Sequence, residues 1–296
     1  MNDTPHHIPV LINEITTQLC IKKTDIVLDG TLGFGGHSCH FLKHLQSADQ
    51  LYCIDQDMEA IAYAQKKLPS ETHIYHGNFS DFTSFIPKNM LFDKVLVDLG
   101  YSSYQLDRSN RGFSHQGNER LDMRMNTQKE LTAADILNSY SFKELSDVFF
   151  SFGELHHNKK LCHEIINTRK KKTITSTESL VEIIKKSYSF NNKRSLYMKI
   201  AAQVFQALRI EVNKEFDHLS TFIHSIHPFM REKGRIAIIT FHSIEDRLVK
   251  HAFREMKPLF TAVNKHVITA SQEEISYNSR SKPAKLRVYE KIAHEL

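Results

Sequence analysis

The sequence predicts an α/β protein, a Rossmann-like and mostly parallel sheet interrupted by an inserted helical subdomain. Three observations predict it. Short β-branched runs alternate with helical segments up to about residue 100, a long middle stretch carries helical spacing alone, and strand signal returns only at about residue 234. Strand–helix–strand repeats of this kind build βαβ units on a parallel sheet, and their crossovers are right-handed.

Ile26–Leu28 reads as the first strand and ends at Asp29; residues 39–46 follow as a helix with Phe41, Leu42 and Leu45 apolar. Leu51–Ile54 is a second strand ending in Asp55, then a helix over 57–68, a third strand over His73–Tyr75, a short helix over 80–86, and a fourth strand over Lys94–Leu99. Residues 100–130 show neither period, and a loop this long in a compact domain is functional or disordered. From 131 to 228 the signals are helical, the best helix running over 197–224 with Phe205, Leu208, Val212, Phe216 and Leu219 as its apolar stripe. Gly234–Phe241 restores the sheet, a helix follows from Ser243, and 261–268 with 285–292 close it. Residues 1–105 with 229–296 therefore form one expected domain, and 106–228 an insert for substrate recognition. Four parallel strands, an insertion, another strand and helix, and a closing strand pair is the layout of many methyltransferases that use S-adenosylmethionine (SAM).

Composition narrows the class. No apolar run approaches the roughly 18 residues of a membrane span, and the polar start MNDTPHH has no signal-peptide core, so a cytoplasmic protein without membrane contact is expected. Cys20, Cys39, Cys53 and Cys162 are too scattered for a zinc ribbon or a disulfide framework, and the histidines show no metal-ligand spacing; reduced thiols and no metal are expected. A net charge of +5 suits a polyanionic partner. Lys159, Lys160 and Arg169–Lys172 form one basic cluster and Arg280, Lys282, Lys285 and Arg287 another; each also reads as a solvated face.

The first βα turn, Leu28–Ser38, is LDGTLGFGGHS. Its glycines let the backbone turn tightly beside a ligand. A dinucleotide fingerprint fails here, because Ser38 stands where the third glycine belongs. Asp29 before the glycines suits SAM, whose α-amino group needs an acceptor and whose carboxylate suits backbone N–H donors. Asp55 at the end of the second strand can accept both ribose hydroxyls of an adenosyl group, or it can cap the next helix together with Asp57. Phe79 is either an adenine partner or an ordinary core aromatic. After the fourth strand, Asp98-Leu99-Gly100-Tyr101 loosely matches the D/N-P-P-Y/F tetrapeptide of amino-methyltransferases. An acceptor at Asp98 can hold an exocyclic N–H and turn the nitrogen lone pair out of the ring, and Tyr101 can stack on a base. Asp98 can equally cap the turn or meet the SAM amino group.

Together these segments resemble the RsmH (MraW) family of bacterial 16S rRNA cytosine-N4 methyltransferases. The matching blocks run in order over nearly the whole chain: HIPVL at 7–11, DGTLGFGGHS at 29–38, IDQD at 54–57, HGNF at 76–79, DLGYSSYQLD at 98–107, RGFS at 111–114, LDMRM at 121–125, FQALRIEVNKE at 205–215, FHSIEDRLVK at 241–250 and SRSKPAKLR at 279–287. LDMRM and FHSIEDR are far more specific than a glycine turn. The resemblance implies SAM contacts at Gly35, Gly36, His37, Asp55, Phe79, Asp98 and Gln105, and one cytosine in the decoding region of the small ribosomal subunit as substrate. Asp98 is the catalytic candidate, and Tyr101, Arg209, Asn213 and His242 are substrate candidates.

Gln206, Arg209 and Asn213 share one helical stripe and read either as RNA contacts or as a solvated polar face. Ser243 with Asp246 reads as a capping pair for the helix after the fifth strand. The chain departs from the family pattern at Tyr101, where a Val is usual, and at Gln203, where an Arg is usual. Small-subunit 16S rRNA is the expected partner, with a homodimer left open. A DNA amino-methyltransferase and a non-catalytic assembly factor that keeps the fold as an RNA-binding module are the competing readings.

Overall fold

The computed structural model describes residues 8–101, 106, 109–191 and 193–293. The chain divides into two compact units, Met1–Ser102 with Phe216–Leu296, and Ser103–Glu215.

The first unit is built on an eight-stranded sheet. The strands are β1 (Val27–Asp29), β2 (Leu51–Asp55), β3 (His73–His76), β4 (Phe92–Asp98), β5 (Met230–Thr240), β6 (Phe260–Ala262), β7 (Ile268–Thr269) and β8 (Lys285–Lys291). Their order is β3-β2-β1-β4-β5-β8-β6, with β7 also on β8. Pairs β1–β2, β2–β3, β1–β4 and β4–β5 are parallel, and β8 runs antiparallel to β5, β6 and β7. Alternation along the strands separates two cores. Leu28, Tyr52, Ile54, Val95, Val97, Ile236 and Ile238 bury one face, and Val27, Leu51, Cys53, Leu96, Ala237 and Ile239 the other. Helices α1 (Ile12–Leu19), α2 (Gly36–Phe41) and α3 (Met58–Ala64) belong to this unit. The expected strand over 261–268 is instead two short strands, each paired to β8.

The second unit holds α4 (Ala133–Ser139), α5 (Phe142–Gly153), α6 (Lys159–Arg169), α7 (Thr177–Ser187) and α8 (Arg194–Asn213). Their core includes Leu121, Met123, Ile136, Phe149, Leu161, Leu180, Val204 and Leu208. The single helix expected over 197–224 is two. Lys214 takes a left-handed φ of 51°, and α9 (Glu215–Ser225) starts afresh. The apolar stripe therefore serves two cores: Phe205, Leu208 and Val212 pack in the helical unit, while Leu219 and Phe222 pack under the sheet. The two compact units meet in sequence between Glu215 and Phe216.

The loop over 109–131 is held by polar groups of its own and by Thr177 and Asn213. Arg111 donates from Nη1 to the carbonyls of Arg124 and Met125, both at 3.2 Å. Gly112 has φ +76°, and a Cβ there would stand 2.3 Å from the Arg120 carbonyl oxygen, so RGFS needs its glycine. Asp122 accepts from Arg124 Nε and Nη2, both at 2.7 Å. Burial works against the Asp122 charge, yet the Arg124 bonds hold its carboxyl below the ordinary value.

Candidate functional site

The strand order reverses between β1 and β4, and in open α/β sheets ligands bind at such a switch point, beyond the carboxyl ends of the strands. Asp29, Asp55 and Asp98 end β1, β2 and β4 and so share that edge.

Asp29 is fully buried; it accepts the Ser38 hydroxyl at 2.6 Å and the Thr31 N–H at 3.2 Å. Burial raises its carboxyl above the usual range, against the opposing Ser38 bond. Both oxygens thus tie the glycine turn to the start of α2, a role that strand and turn signals alone do not suggest. Within the turn Gly33 and Gly35 have φ of 51° and 76°, where a side chain would be strained. A Cβ on Gly36 would come within 3.2 Å of Pro9.

Asp55 closes the other side. Its Oδ2 accepts the Gly33 N–H at 2.7 Å and its Oδ1 the Asp57 N–H at 2.8 Å. The cap of α3 is Asp57, which accepts from Glu59 N–H at 3.1 Å. Asp55 is therefore a clasp between the turn and β2, and each oxygen keeps a further lone pair. Burial pushes its carboxyl up to about 6, opposed by the two backbone N–H bonds.

Asp98 is fixed through its backbone, whose N–H donates to Thr31 Oγ1 at 2.6 Å. Its Oδ2 lies 3.6 Å from Nε2 of His37, and its buried Oδ1 has no hydrogen-bond partner among the described residues. Both ring nitrogens of His37 are buried and likewise without a hydrogen bond there. Buried polar atoms are almost always paired, so adjacent orphans in a crevice mark a place for ligand or water. An adenosyl group bearing an amino-acid end fits this set. It brings hydroxyl and ammonium donors for Asp55 and Asp98, and a carboxylate for the N–H groups of the turn.

The remaining predicted residues are distributed differently. Phe79 is nearly buried and packs edge-on to Phe222 at 5.4 Å, so its core role is plain. Tyr101 is 38% exposed just after Gly100, whose φ is +99°. Gln105 lies outside the described residues. Arg209 and Asn213 are not surface groups. Arg209 is buried and donates from Nε and Nη2 to Glu215 at 2.7 and 2.9 Å. Asn213 accepts Met125 N–H at 2.8 Å and donates to the carbonyls of Met123 and Arg209 at 2.8 and 2.9 Å. Gln206 donates to the Phe152 carbonyl at 2.8 Å. The polar stripe of α8 fastens the helical unit internally, and Asn213 stitches the LDMRM loop to α8.

His242 caps α10 (Ser243–Glu255): its Nδ1 accepts Glu245 N–H at 3.3 Å, and Glu245 reaches back to the N–H groups of Phe241 and His242. This corrects the capping register by one residue, from Ser243 with Asp246 to His242 with Glu245. Asp246 instead accepts from Arg287 Nε and Nη2 at 2.7 and 3.1 Å, locking β8 to α10. Thr31, Ser38 and Glu245 are the positioning residues that sequence reading missed. Thr31 stands just past the first strand, Ser38 immediately before the predicted helix over 39–46, and Glu245 in the first turn of the helix after the fifth strand.

Among the described residues no helix is long and apolar enough to cross a membrane, and no His, Cys, Asp or Glu group is arranged to hold a metal ion.

A methylase family, the MraW methylase family, matches residues 4–292. The chain is 39% identical over 293 residues to the ribosomal RNA small subunit methyltransferase H of Trichodesmium erythraeum, covering 97% of this chain and 100% of that protein. It is 40% identical over 286 residues to the protein of that name from Hydrogenobaculum sp., covering 95% and 94%, and 38% identical over 317 residues to that from Streptococcus mutans, covering 99% of each. With a match of this extent laid over a switch-point crevice of this kind, the chain belongs to the MraW methylase family and is a methyltransferase whose cofactor is S-adenosylmethionine.

Proposed function

We propose that the protein transfers a methyl group from SAM to the exocyclic N4 amine of one cytosine in the decoding region of 16S rRNA, acting in the cytoplasm on the small ribosomal subunit. The single observation that carries this reading is Asp98 Oδ1 at the end of β4, buried and without a hydrogen-bond partner among the described residues, on the same sheet edge as the glycine turn and Asp55. The relatives' name supports the RNA as substrate.

When bound, SAM supplies a methyl group already activated on a sulfonium. The chain's own residues have three tasks. The Gly33–Gly36 turn offers backbone N–H groups to a carboxylate, His37 lines the same crevice, and Asp55 accepts ribose hydroxyls while holding the turn through Gly33. Phe79 keeps one side for the adenine while Phe222 takes its edge. Asp98 accepts an N–H of the amine, which weakens conjugation of the lone pair with the ring, and is placed to take the proton the nitrogen must lose. Orientation of the two reactants supplies about 7–11 kcal/mol of such a barrier, and proton acceptance about 10²–10⁴-fold. Tyr101, exposed beside Asp98, stacks on the base, which must leave its helix to be reached. His242, at the end of β5, lines the base from the sheet side, and the helical unit recognises the RNA around the target.

The test is to incubate the protein with labelled SAM and unmethylated small subunits and to map the product. A single N4-methylcytidine is expected; label on another atom, or on duplex DNA in preference to subunits, would sink the assignment.

A further inference from the structure

The excess positive charge is confined to one unit. Residues 103–215 carry 19 Lys and Arg against 13 Asp and Glu, whereas the rest of the chain carries 20 against 21. Within the helical unit, residues 183–210 contain no acid at all, and Lys185, Lys186, Lys193, Arg194 and Lys199 in that stretch are all exposed. Among the described residues none of the five makes an ion pair. By contrast Arg169, in the basic run over 159–172, donates internally to the carbonyls of Leu137 and Tyr140.

The placement of Lys193 and Arg194, at the start of α8, is unfavourable for the isolated fold. Arg194 opens the 20-residue helix α8, with no acid in its first turn and no side-chain cap. Cations at a helix N-terminus oppose the macrodipole, and an anion there is what the helix favours. Lys185 and Lys186, in the last turn of α7, feed the same connection to α8. The connection is held by rings: Phe190 stands edge-on to Tyr197 at 5.5 Å, and His115 lies parallel to Tyr197 at 6.4 Å and meets the core residue Phe205 at 5.9 Å. Lys185 Nζ lies 5.6 Å from the Tyr197 ring centre. The cations are thus presented on a braced surface.

We propose that this surface, from the end of α7 through the start of α8, is a docking site for the phosphate backbone of RNA, gripped by Lys185, Lys186, Lys193, Arg194 and Lys199. The proposal rests on the ribosomal RNA reading above and gives it a location. A polyanion supplies what the helix start lacks, and counterion release makes each engaged phosphate worth a defined share of the salt dependence.

The test compares full-length wild type with Lys185→Glu/Lys186→Glu, Lys193→Glu/Arg194→Glu and, as a control in the same unit, Lys170→Glu/Lys171→Glu/Lys172→Glu. Binding to labelled polyuridylate and KM for unmethylated small subunits are measured across salt concentrations, with calorimetric SAM binding reporting an intact fold. For the two patch variants, affinity is expected to drop about tenfold or more near 0.1 M salt, and the slope of log K against log salt to shrink by about 0.7 for each phosphate that is no longer neutralised. SAM affinity should stay within twofold of wild type. An unchanged slope in both patch variants, an equal loss in the control variant, or polyglutamate competing as well as polyuridylate would overturn the proposal. Wild type that binds polyuridylate through this surface yet methylates no subunit would keep the surface and sink the reading it rests on.

Discussion

The Asp98–His37 pair of the sheet unit and the polar network around LDMRM in the helical unit handle buried polar groups in opposite ways. In the helical unit Asn213, Arg111, Asp122 with Arg124, and Arg209 with Glu215 are bonded to one another or to backbone. In the sheet unit Asp98 and His37 face each other across 3.6 Å with polar atoms left over. A closed network gives a loop one conformation, and an open one in a crevice gives a ligand somewhere to bind. LDMRM, FQALRIEVN and FHSIEDR supply fasteners, whereas the crevice atoms without a hydrogen-bond partner among the described residues belong to Asp98 at a strand end and His37 at the start of α2.

Substitutions in these two regions are therefore expected to fail in different ways. The largest effect is expected from Asp98→Ala, a loss of about 10²–10⁴-fold in methyl transfer with an unchanged Tm. Activity near wild type in single-turnover assays would remove Asp98 from the chemistry. Next is Asn213→Leu, which strands the Met125 N–H and the Met123 carbonyl inside the core. It should cost about 2–4 kcal/mol on a urea melt, while SAM affinity measured under native conditions is retained. A weaker version of the same failure is Gly112→Ala, costing about 1–3 kcal/mol through its left-handed φ and the close Arg120 carbonyl. Either variant losing SAM affinity without losing stability would break the comparison.

The parallel part of the sheet was legible because its strands are short apolar runs separated by helical segments, whereas β6 and β7 merged into one expected strand. What escaped were features decided by one residue. α1 was not foreseen, since it is eight residues long, begins after a left-handed Leu11, and buries only Ile15 and Leu19. The break at Lys214 was hidden because Val212, Phe216 and Leu219 continue the helical spacing across it. The α10 cap was misplaced because HSIED offers two registers, and the choice of Glu245 over Asp246 depends on Arg287, 41 residues away. Arg209 and Asn213 looked solvated because polar residues on one stripe do so whenever their partners, here Glu215 and the Met123–Met125 loop, come from outside the helix. At the site, the glycine turn and all three strand-end aspartates were readable. That Asp29 serves Ser38, and that His37 meets Asp98, needed the sheet to fold first.

The smallest expected effect is also the one that probes the open side of the comparison most directly. Burial lifts the Asp55 carboxyl from 3.8 to about 6, so the folded protein binds that proton more tightly than the unfolded chain does. The group's contribution to stability is therefore fully present below 3.8 and lost as pH rises through about 6. Accepting two ribose hydroxyls requires the opposite state, the free carboxylate. SAM affinity should then be flat above pH 7 and fall about tenfold for each unit below 6, and the rise in Tm caused by SAM should shrink over the same range. Asp55→Asn should bind weakly with no such bend, because it has no proton to lose. A wild-type profile that stays flat from pH 7 to 5 would mean that Asp55 holds the turn through Gly33 and nothing more.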